Sequence, residues 1–259
     1  MAENGEYWQR IEVAKRRLVS SLIGLGLPVV SRVTEDPERG LAFDFLRPAE
    51  DAPVFTGHSE GIITLNIEEA ADSTRERIRE QMHEPYRTLL GHLRHETGHY
   101  YWSRLIEESP VWLAQFREVF GNEQQDYAAA LENHYRQGPP ADWANQFVSA
   151  YASVHPWEDW AETWAHYLHL TDTLDTALSF HLEIDSVELP FEGFDKEALA
   201  QQDAAAFLEI LNSWARFTAV LNELSRSMGL PDFYPFVLSR SAVAKLHFVY
   251  RVLGHHSDR

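Results

Sequence analysis

Cysteine is absent from all 259 residues, which excludes disulfides, thiolate zinc sites and cysteine nucleophiles together. Basic residues are scarce: 22 lysines and arginines face 40 acidic residues, a formal charge of −18. Such a chain repels nucleic acid and anionic membranes, so neither is expected as a partner. Long apolar runs are also missing. The most apolar window, Leu22 to Val30, is broken by Gly24, Gly26 and Pro28 and falls far short of a membrane span. The first residues, Met-Ala-Glu-Asn-Gly-Glu, show neither a basic nor an apolar leader segment, and a soluble cytoplasmic protein is expected. Repeats and low-complexity segments do not occur, and no linker splits the chain.

What is present fits a packed globular protein. Hydrophobic residues make up 44% and aromatics 12%, enough to argue against disorder. A chain of this length buries roughly three quarters of its unfolded surface, so one domain over residues 1–259 is expected.

Residues 6–23 read as an amphipathic helix with Trp8, Ile11, Leu18 and Leu22 inward and Lys15, Arg16 and Arg17 on a solvated face. Two strands follow, Leu41 to Leu46 and Gly61 to Ile67, expected to pair as a small antiparallel sheet. An exposed edge on the second could hold an extended peptide by strand addition. From residue 68 the pattern is helical: a charged stretch to Met82, a helix opened by Pro85, one from Pro110 to about Gly121, and one over 123–136. Further helices are expected over 142–151, 156–170, 198–228 and 241–253, with a loop at 181–196.

The helix opened by Pro85 carries His95-Glu96-Thr97-Gly98-His99. Two imidazoles four residues apart share one helix face, with Cβ atoms about 5–6 Å apart. Both rings can then reach a single Zn²⁺ at about 2.0–2.1 Å. Glu96 is rotated off that face and can take a proton from a water that zinc acidifies to a pKa of roughly 7. This is the H-E-x-x-H pattern of metallopeptidases. The plain alternative is a solvated face with two surface histidines. Leu89, Leu93, Thr97, Tyr101 and Leu105 form an i,i+4 stripe suited to a core, which supports the helix. Gly98 costs a helix about 1 kcal/mol against alanine and suits a close approach of another backbone or a substrate.

Two histidines leave such a site one protein ligand short. The best supply is the stretch from Tyr151 to His169, where Pro156 can start a helix. Trp157, Trp160, Trp164 and Tyr167 share one face and read as its packing side. Glu158 and Glu162 share another, one turn apart, where like charges repel. One could bind the metal while the other accepts the remaining N–H of a histidine ligand, or both could be solvated near the helix N-terminus. Asp159 is the fallback ligand. His92 reads as a packed residue or an outer support of the site, and His166 and His169 share the face of Glu162, where a second metal is the lesser reading.

These residues carry a resemblance. The chain is similar to bacterial zinc-binding metallopeptidases of unknown substrate, through the block from Gly91 to Trp102 and the block from Tyr151 to His169. Tyr7-Trp8, Arg16-Arg17-Leu18, Gly40 to Phe45 and Thr64-Leu65-Asn66 support it. More distantly, Glu158-Asp-Trp-Ala-Glu162 resembles the Glu-x-x-x-Asp/Glu helix of gluzincins such as thermolysin and anthrax lethal factor. The resemblance implies zinc on His95, His99 and Glu158, a general base at Glu96, and Glu162 orienting a histidine ligand. Tyr151 stands seven residues before Glu158, as does an oxyanion-directed tyrosine in lethal factor, and His155 competes for that role. Members of the family often begin with a cysteine-rich zinc ribbon, from which this cysteine-free sequence departs.

The expected protein is therefore a mostly helical α+β, zincin-like metallopeptidase domain with a small antiparallel sheet and one catalytic Zn²⁺. It would hydrolyse peptide or related amide bonds of a peptide or protein substrate. A zinc-stabilised interaction or regulatory module without turnover is the alternative of another class.

Overall fold

A computed structural model describes residues 2–49, 51–82, 84–188, 193–195, 199 and 204–257. The chain divides into two compact units, residues 1–116 with 253–259 and residues 117–252. Part of the loop expected at 181–196 and the start of the helix expected from 198 lie outside the described residues.

The first unit opens with α1, Ala2–Gly24. Ile11, Leu18 and Leu22 are fully buried, whereas Trp8, expected inward, is 48% exposed. Three strands follow: β1 (Ala42–Leu46), β2 (Gly57–Ser59) and β3 (Ile62–Asn66), in the order β1-β3-β2. The expected antiparallel pair is corrected here: β1 and β3 run parallel, with Phe43 opposite Ile63 and Phe45 opposite Leu65. The reason is the connection over residues 47–61, long enough for a crossover, which parallel strands require. β2 lies inside that connection and pairs antiparallel with β3, making the sheet mixed. Its hairpin turn is Glu60-Gly61, both at positive φ (49° and 87°), as the tight primed turns demand. β3 is thus the central strand of the sheet among the described residues, not the edge considered for a peptide. Lys15, on the face of α1 read as solvated, places its ammonium 5.7 and 5.6 Å from the rings of Phe43 and Phe45.

A single 3-10 turn (Ile67–Ala70) and the exposed α2 (Asp72–Gln81) lead to α3, Leu89–Leu105. α3 starts later than Pro85 suggests, because Thr88 caps it: its extended backbone lets Oγ1 accept the Gly91 N–H at 2.9 Å. Leu93, Thr97, Tyr101 and Leu105 are buried along one stripe as expected. Tyr101 donates its hydroxyl to the Pro28 carbonyl at 2.9 Å, fixing the helix against the segment after α1.

α4 (Pro110–Phe120) carries the chain from the first unit into the second. α5 spans Tyr127–Gln137, starting where Asp126 accepts the Ala129 N–H at 3.0 Å. The helix expected over 142–151 is replaced by two 3-10 turns, Trp143–Asn145 and Tyr151–Ser153. Backbone groups there are committed elsewhere: the Gln146 carbonyl accepts from Lys245 and the Ala152 N–H donates to Ser149. α6 (Pro156–Ser179) is the core of this unit, with α7 (Ala204–Ser227) and α8 (Arg240–Ser257) following. Trp160 and Trp164 are fully buried, and Trp160 meets Phe120 and Phe248 edge-on at 5.8 and 6.1 Å. Among the described residues, no helix is long and apolar enough to cross a membrane.

Candidate metal centre

On α3 the two histidines face each other. Their Nε2 atoms are 3.2 Å apart, with ring centroids at 5.0 Å and planes at 77°. Tetrahedral zinc with bonds of 2.0–2.1 Å sets two nitrogen ligands about 3.3 Å apart. The pair therefore fits one ion without rotamer change; without an ion, the same spacing suits an N–H···N hydrogen bond. Glu96, between them in sequence, is only 8% exposed and Gly98 is buried. His95 and His99 are themselves half-buried, between buried neighbours that include Leu93, Arg94, Thr97 and Tyr100.

Two supports on this unit surround the pair. His58 of β2 stacks on His99 at 6.4 Å, and its Nε2 accepts the Gly61 N–H at 2.9 Å. Burial, followed by the neighbouring His99, pushes its pKa down to about 4, so it is a neutral ring with its proton on Nδ1. One turn before His95, His92 places Nδ1 2.9 Å from the buried carboxylate of Glu69. Glu69 also accepts from Thr56 Oγ1 at 2.6 Å and from Arg87 at 3.2 Å. Burial would raise the Glu69 pKa, but the His92 hydrogen bond and charge, Thr56 and Arg87 outweigh it and hold it near 2. His92 is thus packed through an ion-pair cluster.

On the second unit, α6 presents the carboxylates. Glu158 is 2% exposed, so it is no solvated first-turn glutamate. Its Oε1 accepts the Tyr127 hydroxyl at 2.7 Å. Glu162, one turn on, accepts the Ser149 hydroxyl at 2.6 Å. Tyr151 occupies the 3-10 turn before α6, and its pKa is raised by burial and by the charge of Glu158, so the phenol stays protonated. His155 is the N-cap of α6: Nδ1 accepts the Trp157 N–H at 3.1 Å and Nε2 lies 3.2 Å from the Gln125 carbonyl. Asp159 faces elsewhere, 2.6 Å from Lys245 in a buried ion pair, so the fallback ligand already has a partner. His166 places Nδ1 2.6 Å from the Tyr234 hydroxyl. Among the described residues it joins no metal-capable group with His169.

Sequence reasoning missed His58 and Tyr127. Neither stands at a diagnostic spacing from the residue it touches, since their partners come together only through tertiary structure. The hairpin turn at Glu60-Gly61, both at positive φ, follows directly on the strand that carries His58.

Fold and geometry together define a mostly helical protein with a small mixed sheet, a paired-histidine helix and a buried glutamate on a second helix. The chain belongs to the family described as "Putative zinc-binding metallo-peptidase", whose model matches residues 4–252. Uncharacterized proteins of Mycobacterium bovis and Mycobacterium tuberculosis are 48% identical over 244 residues, covering 94% of this chain and 69% of theirs. No solved structure matches.

Proposed function

We propose that this protein is a zinc-dependent peptidase whose metal ligands are His95, His99 and Glu158 and whose general base is Glu96. The observation that carries the reading is the His95–His99 nitrogen pair at 3.2 Å on a helix that buries Glu96 beside it. Family membership supports it independently. Zinc bound there would supply a Lewis acid for the scissile carbonyl and lower the pKa of water to about 7.

The chain supplies the rest. Glu96 takes the proton of the attacking water and returns it to the leaving amine. Tyr151, held protonated by its burial and by Glu158, donates to the oxyanion. His155 is the weaker candidate for that role, because both its ring nitrogens are engaged by backbone groups. Glu162, anchored by Ser149, orients a histidine ligand. The substrate class is a peptide or protein; the charge of −18 disfavours nucleic acid and anionic membranes as partners.

Elemental analysis of the purified protein and its variants tests the ligand set. One zinc per chain is expected in the wild type and in Glu96→Gln. Most is lost in His95→Ala, His99→Ala and Glu158→Ala, and part in Glu162→Ala. Equal metal content in all of them would overturn the assignment.

A further inference from the structure

We infer that Tyr127 is a positioning residue for the Glu158 carboxylate, and that His155 is the strut that delivers it. The inference rests on the zinc-ligand reading above. Tyr127 is the first residue of α5, and its hydroxyl donates to Glu158 Oε1 at 2.7 Å. A buried carboxylate has two oxygens to satisfy, and a phenol fixed on one of them sets the rotation of the whole group. This ties Oε1 to the phenol, and that bond fixes how the carboxylate is presented to a metal. A ligand carboxylate held by such an outer hydrogen bond is the arrangement by which supporting groups tune metal affinity.

His155 ties the start of α6 to the segment just before α5. His155 caps α6 through Nδ1 and the Trp157 N–H, and its Nε2 points at the carbonyl of Gln125, two residues before Tyr127. With Nδ1 accepting, Nε2 carries the proton and donates. One neutral imidazole thereby joins the start of α6 to the start of α5. Its ring also meets those of Tyr127 at 5.3 Å and Trp157 at 5.1 Å, which lie 6.2 Å from each other. Asp126 caps α5 at the same place, so the helix begins with the phenol already aimed. All of these residues belong to the second unit.

Tyr127→Phe removes one oxygen and keeps the ring packing against His155 and Trp157, which separates positioning from structure. The zinc dissociation constant is measured by chelator competition for the wild type, Tyr127→Phe, Glu158→Ala and the double variant. The melting temperature of each metal-free protein is recorded alongside. Tyr127→Phe is expected to weaken zinc binding about 10-fold, within the range typical of groups that support a metal ligand. Its metal-free melting temperature should match that of the wild type. In the Glu158→Ala background the same substitution should change zinc binding no further. His155→Asn, which preserves a cap but not the bond to Gln125, is expected to weaken binding in the same direction.

Wild-type and Tyr127→Phe proteins with equal zinc affinity would overturn this proposal alone. So would a Tyr127→Phe protein that loses its metal-free fold, since the role would then be structural. A wild type that binds no zinc would overturn the metal-site reading, and this one with it.

Discussion

At the scale of single residues, two buried ionic groups lie outside the proposed chemistry. Glu69 is buried yet ionised, with His92, Thr56 and Arg87 around it. Its folded pKa near 2 lies below the ordinary 4.5. A depressed carboxylate stabilises the fold above its unfolded pKa, and that contribution is lost as pH falls through the folded value. The loss is therefore expected between about pH 4.5 and 2, on the order of 3 kcal/mol at full extent. Glu69→Gln should lower stability at pH 7 and flatten that acid limb in denaturant titrations across pH. A variant with an unchanged acid limb would show that Glu69 does not carry it. Lys245 and Asp159 form the second group, 5% and 1% exposed at their side chains, with Lys245 also bonded to the Gln146 carbonyl and 4.2 Å from the Phe147 ring centre. Lys245→Met strands a buried carboxylate and is expected to cost about 3–5 kcal/mol. Replacing both, as Asp159→Leu with Lys245→Met, should restore most of it. Equal stability of the single and double variants in urea unfolding would contradict the pairing.

At the scale of elements, local signals carried some features well and long-range ones poorly. The α3 histidines are one turn apart, so their facing was legible from 3.6-residue periodicity alone, as were Glu158 and Glu162 on α6. Thr88 outcompeted Pro85 as the start of α3 because a side-chain cap satisfies N–H groups that proline only omits. The strand pairing went wrong for a different reason. Alternation identifies strands but not their direction, and the direction was set by a connection that hides β2. Gly61 is where this hairpin is most exposed to test. Its φ is +87°, and an added Cβ would fall 2.4 Å from the Gly40 carbonyl oxygen. Gly61→Ala is expected to destabilise the protein by more than about 1 kcal/mol and to disturb His58, whose ring accepts the Gly61 N–H. Thermal melts check the first effect, and the NMR shifts of the His58 ring check the second. An unchanged melting temperature would contradict the turn geometry.

At the scale of the whole molecule, the family model runs from residue 4 to 252 and so spans both compact units. The two proposed histidine ligands belong to the first unit and the proposed glutamate to the second. What was readable in the sequence follows from separation along the chain within each unit. H-E-x-x-H is contiguous and declares itself, and the glutamates on α6 declare a helix face. Tyr127, 31 positions before Glu158, and His58, 41 before His99, are joined to them only by folding. Charge and the absence of cysteine narrowed the partners and the ligand types without naming a substrate.

The central claim is turnover by Glu96 at a zinc site, and digestion of a peptide library by zinc-loaded protein tests it most directly. The wild type should release cleavage products that disappear with chelator and are absent from Glu96→Gln protein of equal zinc content. Cleavage that persists undiminished in Glu96→Gln, or a zinc-loaded wild type that cuts nothing in the library, would contradict it.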